Sequence, residues 1–506
     1  MTTAWQRENF LEVKTNHLTI DGVDAVDLAR SHGTPLFVFS ERQIRHNIER
    51  LEKVRDVIDC PLKICYAAKA MSTLGILRVV KDAGIDIEVN SGGELWKALK
   101  VGFTGEQIIF NGTSKEVWEI ENAINAGIYA IQVDSIYELS LIEETAKKLG
   151  KIANVSLRLV PEIESHTHLG LQTALLTSKF GMMPGEAFEA FRKHKLSPYL
   201  SLDGIHLHIG SQNPDPQVYT EALAKLFDAM LRIYNETGVK LKNINLGGGF
   251  PVDYLPGDER DLSSERQQLL SADFAPDSAI KQAWNILREA ATLANAVHLL
   301  DDLTLLLEPG RSIIADAGVC LTTVRNAKQR PTSSPPYEGG VAAASADGVV
   351  LSSSGNQTKN HPTAEAVLLL RKEGSPRAEH WLLTDAGFNI LLSMETYKWY
   401  YHMISAERAG EPHDFPYKIA GPLCDGGDVY FDIEGEDRLP PYRMLPKDVS
   451  PGEILALLNC GAYSLAQASQ YNGRFLPAVL LIREDGEVEL IRKRDDFESL
   501  VSNDVY

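Results

Sequence analysis

The stretch KICYAAKA, residues 63–70, followed by LGILRVVKDA, residues 74–83, decides the architecture. Lys63–Ala67 is a short apolar run with β character, and Leu74–Ala83 reads as a helix. Seven more runs of the first kind follow: Ile85–Val89, Gln107–Phe110, Ile128–Val133, Val155–Val160, Gly204–Ile209, Asn243–Leu246 and Leu303–Leu307. Helix-like segments such as Gly93–Val101 and Tyr219–Glu236 lie between them. Strands this apolar are buried on both faces, as in a parallel sheet. Eight β/α alternations predict an α/β fold, a (β/α)8 TIM barrel over residues 41–312. An open doubly wound sheet is the alternative. The polar residues at the strand ends must converge, and closure of the barrel achieves that.

Beyond Arg311 the pattern changes. Residues 329–362 are rich in Pro, Ser and Gly and read as a flexible insertion. The runs Ala366–Arg371, His380–Thr384, Ile454–Leu458 and Pro477–Ile482 then predict an all-β domain over 313–506. Residues 1–40 hold the alternating stretch from His17 to Asp21 and the run Pro35–Phe39, and are expected to join that β domain.

The chain has 506 residues, 44% hydrophobic and 24% charged, enough for two globular domains. Its net charge of -19 argues against a nucleic-acid partner, whose phosphates it would repel. No apolar run is long enough to span a bilayer. The opening residues MTTAWQRENFLEV lack a basic-then-apolar pattern, so no signal peptide is expected. Five cysteines, Cys60, Cys65, Cys320, Cys424 and Cys460, form no CxxC pair. That predicts a reducing cytoplasm, with no disulfide scaffold or zinc site.

In such barrels function sits at the C-terminal ends of the strands. Read in strand order, those ends carry Lys69, then Glu88 with Ser91-Gly92-Gly93-Glu94, Asn111, Asp134, Arg158, His208-Ile209-Gly210-Ser211, Gly247-Gly248-Gly249 and Glu308-Pro309-Gly310-Arg311. Three consecutive glycines let backbone N–H groups approach an anion, and Arg311 one strand later adds a fixed charge. A phosphate site is therefore expected after strands seven and eight. Lys69 stands in the barrel mouth, where desolvation is expected to lower its pKa and free its amine for a carbonyl cofactor. Taken alone, His208 reads as a satisfied structural histidine, Glu308 as a carboxylate paired with Arg311, and Cys424 as a small buried apolar residue.

The motifs YAAKA, HIGSQ, LGGGF, EPGR, GPLCDGGD and GAYSLAQASQYNGR resemble the fold-type III pyridoxal phosphate (PLP) decarboxylases, among them diaminopimelate and ornithine decarboxylases. The resemblance implies an alanine racemase-like barrel and a Schiff base between Lys69 and PLP. It implies His208 stacked on the pyridine ring and Glu308 at the ring nitrogen. Gly247, Gly248, Gly249, Gly310, Arg311, Ser211 and Tyr463 are expected around the phosphate, with Glu88 and Arg158 completing the cofactor site. It further implies a homodimer with shared active sites, in which Cys424 and Asp425 enter the partner's barrel, Cys424 delivers a proton and Lys179 pairs with Asp428.

The pattern departs from the diaminopimelate enzymes at three places. Asp425 follows the motif cysteine where they carry Glu. Ser393 stands, with Tyr397 nearby, where they place an arginine for the distal carboxylate. Glu88 replaces the usual Asp. Serine offers no bidentate partner to a carboxylate. The first reading is thus decarboxylation of a basic or modified diamino acid such as ornithine or lysine, with meso-diaminopimelate as the alternative. A racemase on the same barrel, a non-catalytic PLP-binding protein and a Schiff-base aldolase without PLP are the competing readings.

Overall fold

The computed structural model describes residues 4–160, 179–255, 264–331, 378–435 and 438–505. Residues 332–362 of the expected insertion, and the strand expected at Ala366–Arg371, lie outside them.

Eight parallel strands close into a barrel. They are β1 (Leu62–Ala67), β2 (Asp86–Val89), β3 (Ile108–Phe110), β4 (Ala130–Val133), β5 (Ala153–Arg158), β6 (Leu200–His206), β7 (Asn243–Asn245) and β8 (Thr304–Leu307). β8 returns to β1 through the register Leu305 to Leu62, which leaves no open edge. β6 starts at Leu200, four residues earlier than expected, and shifts register between Leu202 and Gly204. The helices Leu74–Asp82, Gly92–Val101 and Pro216–Thr237 follow β1, β2 and β6.

Side-chain alternation explains both the packing and the site. One face of the strands, with Ile64, Tyr66, Ile87, Phe110, Ile131, Leu157 and Leu305, packs into the main core shared with the helices. The other face forms a small plug inside the barrel from Cys65, Ile109, Ala130 and Leu306. Two residues onward on that inner face come Ala67, Asn111, Gln132 and Glu308. The interior therefore turns from apolar to polar within one step toward the C-terminal rim.

A nine-stranded sheet forms the second layer. Its long strand Gly318–Pro331 pairs antiparallel with Ala378–Thr384, Ile454–Leu457 and Leu36–Ser40. Leu36–Ser40 also pairs in parallel with Ala478–Ile482. The N-terminal segment thus inserts a strand into the middle of the β domain. His17–Ile20 lies instead in a separate three-stranded sheet with Leu11–Lys14 and Val23–Asp24. Its apolar side packs against Val319, Leu321 and Ile404.

Phe39 is fully buried between Gly318 and Leu481. A side chain at Gly318 would come within 2.9 Å of its ring, so the ring occupies space the glycine leaves open. Phe39→Ala is expected to cost about 3–5 kcal/mol, the usual range for a buried phenylalanine. A thermal-unfolding midpoint equal to that of the parent protein would contradict this placement of the N-terminal strand.

Candidate active site

Lys69 lies on the single turn Ala68–Ala70 that follows β1. Its side chain is solvent-accessible and lines a small cavity at the barrel rim. His208, Ser211, Gly249, Glu308, Gly310, Arg311 and Tyr463 share that lining. Residues from β1, β6, β7, β8 and the β domain thus meet at one place, as the strand-end reading requires.

Glu308 is buried, and two amides hold it: Asn111 Nδ2 donates to Oε2 at 3.0 Å and Asn245 Nδ2 to Oε1 at 2.7 Å. The expected pairing of Glu308 with Arg311 is replaced by these amides. Burial, with the nearby Glu88 carboxylate, pushes the Glu308 carboxyl up to about 7, although Lys69 and both amides pull it down. Glu88 is fully buried and accepts from Asn111 Nδ2 at 2.8 Å.

The lysine departs from expectation. Desolvation pulls the Lys69 ammonium down, but Glu88, Tyr463 and Glu308 together hold it above its ordinary value against the opposing charge of Arg158. It is a protonated amine seated among acids, because close opposite charges outweigh desolvation. His208 shows the reverse balance. Burial, then Lys69 and Arg158, hold its imidazole well below the usual range. The Gly248 N–H donates to Nδ1 at 3.2 Å, which requires that nitrogen to be unprotonated. Arg158, at the end of β5, is buried with its guanidinium 4.3 Å from the centre of the Phe180 ring.

The glycines form a cradle. Gly247 and Gly249 have φ of +70° and +100°, which disfavours other residues there. A Cβ on Gly248 would lie 2.3 Å from the Glu308 carbonyl oxygen. Beside this turn, Arg311 Nε donates to Ser211 Oγ at 3.1 Å and Nη1 to the Tyr254 hydroxyl at 2.9 Å. Its guanidinium sits 4.5 Å from the Trp399 ring centre and 4.8 Å from that of Tyr463. Tyr463 holds a φ of +57°, and its N–H donates to the Ala70 carbonyl at 3.0 Å, next to Lys69. The cavity lining brings together a cation beside a glycine turn, an acid and an amine.

Six expected residues stand outside this cavity within the chain. Cys424 and Asp425 are exposed and line no part of the cavity. The Asp425 carboxylate caps the Gly427 N–H at 2.9 Å and meets the Tyr471 hydroxyl at 3.3 Å. Asp428, expected at a subunit contact, is 2% exposed and accepts the N–H groups of Phe388 and Leu423, each at 2.8 Å. It anchors its own loop, while Lys179 is exposed. Ser393, expected at the substrate, is buried behind Tyr463. Its hydroxyl lies 2.9 Å from the Tyr463 carbonyl and 3.0 Å from Gln467 Oε1. Tyr397 is half-buried, and its carbonyl accepts from Arg266 Nη2 at 3.5 Å.

Sequence reading missed Asn245, Tyr254 and Trp399. Asn245 had a usable signal, two residues before Gly247 on the inward face of β7. Trp399 had none, because its contact with Arg311 joins two domains.

Residues 42–315 match the family model described as "Pyridoxal-dependent decarboxylase, pyridoxal binding domain". Over 98% of its length the chain is 32% identical to a diaminopimelate decarboxylase of Methanocaldococcus jannaschii, covering 96% of that protein. It is 30% identical to the Bacillus subtilis diaminopimelate decarboxylase, covering 97% of this chain and 95% of the other. The crystal structure of the M. jannaschii enzyme in co-complex with L-lysine superposes with a TM-score of 0.77, at 30% identity and 98% coverage of both chains.

The buried Glu308 makes a pH-dependent stability prediction. Its carboxyl rises from 4.5 to about 7 on folding, so the folded cofactor-free protein binds a proton that the unfolded chain releases. This group's contribution to stability is then full below about 4.5 and is lost as pH rises toward about 7. Glu308→Gln removes the titration. Relative to the parent, the variant should gain stability between pH 5 and 7, with a level difference above about 7.5, in urea unfolding of cofactor-free protein. A difference flat across the whole range would contradict the raised carboxyl.

Proposed function

We propose that this chain, which belongs to the family of pyridoxal-dependent decarboxylases, decarboxylates a diamino acid in a site completed by a second copy of itself. The observation that carries this reading is the convergence of Lys69, the glycine–Arg311 cradle and Glu308 on one cavity. PLP fits that set, and when bound it supplies the electron sink for the pair left behind as CO2 departs.

The chain's own residues take the remaining tasks. Lys69 is the amine that attaches the cofactor, and the acids around it keep that amine inside the cavity. The Gly247–Gly249 turn, with Gly310, Ser211, Tyr463 and Arg311, would hold the phosphate. The aromatic frame of Arg311 fixes its direction. Glu308 faces the ring nitrogen and supports its protonated form. Neutral His208 would offer a flat face to the ring, and Glu88 and Arg158 act on Lys69 by charge from behind the lining. Cys424 is the proton donor to the substrate carbon and Asp425 meets the distal group.

Cys424 and Asp425 lie outside their own cavity, which favours delivery from a partner subunit. Trp96, Trp118 and Tyr137 support the same assembly. They are exposed by 59%, 47% and 78% in the first two turns of helices that begin at the catalytic rim. Lys179, also exposed, is a candidate contact in that interface. A cytoplasmic setting accords with five free cysteines.

Meso-diaminopimelate is the substrate for which the full-length relatives are named. The second reading, ornithine or lysine, rests on position 393. There the serine hydroxyl is engaged by Tyr463 and offers no charge to a distal carboxylate. CO2 release should show kcat/KM for meso-diaminopimelate at least about tenfold above ornithine and lysine, the equivalent of one charged contact. The opposite order would establish the second reading, and no CO2 from any diamino acid would sink both. Lys69→Ala and Cys424→Ala should each be inactive alone. Random mixing gives half heterodimers, each with one intact site, so about a quarter of the parent activity should return. No recovery after mixing would contradict the shared site.

A further inference from the structure

Asn111 has no function assigned so far, yet it is bonded to Glu308, the acid that lines the cavity. It follows β3, it is 3% exposed, and its backbone N–H donates to the Val89 carbonyl at 2.7 Å. The next residue, Gly112, turns at φ +104°, where a Cβ would lie 2.7 Å from the Asn90 carbonyl oxygen. The turn therefore fixes where the Asn111 side chain emerges. Its single amide nitrogen reaches two different carboxylates, Glu88 Oε1 at 2.8 Å and Glu308 Oε2 at 3.0 Å. An amide carries two protons, so both bonds form at once.

The two acids depend on it unequally. Glu308 has a second donor in Asn245. Among the described residues Glu88 Oε2 has no hydrogen-bond partner, and the Asn111 amide serves its other oxygen. The charged and titratable groups facing this pair are Cys65 and Lys69 from β1 and its turn, Glu94 from the helix after β2, Arg158 from β5 and His206 from β6. His206 Nε2 lies 3.6 Å from Glu308 Oε2, and burial holds that imidazole well below the usual range. It is therefore neutral and cannot hold the acids apart by charge.

We propose that Asn111 is a positioning residue whose one amide fixes the Glu88 and Glu308 carboxylates relative to each other at the acidic end of the site. A hydrogen bond from a neutral amide favours the ionised form of Glu308 against burial and the nearby Glu88. Without that donor, Glu308 stays protonated to a higher pH. This rests on the PLP reading only for its consequence in cofactor binding. The ionisation itself belongs to the cofactor-free protein.

The test has two readouts. In cofactor-free protein, the infrared band of a protonated carboxylic acid, assigned by its loss in Glu308→Gln, is titrated against pH. Asn111→Leu, similar in size but without a donor, should move its midpoint up by about one unit or more. Glu88→Gln keeps an acceptor for Asn111 but removes the neighbouring charge, and should move it down. Equilibrium dialysis with PLP should show about tenfold weaker binding for Asn111→Leu, with partial recovery in Asn111→Gln. A parent-like midpoint and parent-like PLP affinity in Asn111→Leu would overturn the proposal. Should that variant not fold, an unmoved midpoint in Glu88→Gln would overturn it equally. Failure of the parent protein to bind PLP would instead reject the cofactor reading, leaving the infrared result to judge Asn111.

Discussion

A buried carboxylate with charged neighbours must have donors, and Glu308 is the point from which the catalytic rim is organised. Removed from water, its charge is costly unless hydrogen bonds or cations face it. Asn111 and Asn245 supply the bonds from β3 and β7, and Lys69 supplies the cation from β1. These strands are distant in sequence and come together only when the barrel closes. The same closure places Glu88 close enough to raise Glu308 and to hold Lys69 protonated. The two ends of the cavity are thus coupled electrostatically before any cofactor is considered.

The anion end obeys a different constraint. Among the described residues no carboxylate pairs with Arg311. Its geometry comes from Ser211, the Tyr254 hydroxyl and the faces of Trp399 and Tyr463. Two of those partners belong to the β domain, so the cradle is complete only when both domains are in place. Tyr463 carries the junction. Its left-handed backbone is held by its N–H bond to Ala70 on one side and by Ser393 at its carbonyl on the other. A residue expected to touch substrate therefore does its work one layer back, on the turn that presents Lys69.

Legibility followed the range of the interaction. The eight strands were readable because apolar runs and helical stretches are local signals, and boundaries moved by only a few residues. The rim residues were readable because strand ends in a parallel barrel share one face. The pKa of Lys69 was misjudged because burial was counted and two acids from other strands were not. Asp428 was read as a contact between subunits, whereas the fold turns it inward to cap Phe388 and Leu423.

By itself the sequence determined that this is a β/α barrel with a β domain, and which side chains stand at the catalytic rim. Both follow from periodicity and motif spacing, which act over a few residues. Only the tertiary structure decided the charge state of Lys69, the shared amide of Asn111, the aromatic frame of Arg311 and the inward task of Ser393. Each depends on distances between segments far apart in the chain, and those distances exist only after the barrel closes and the β domain docks.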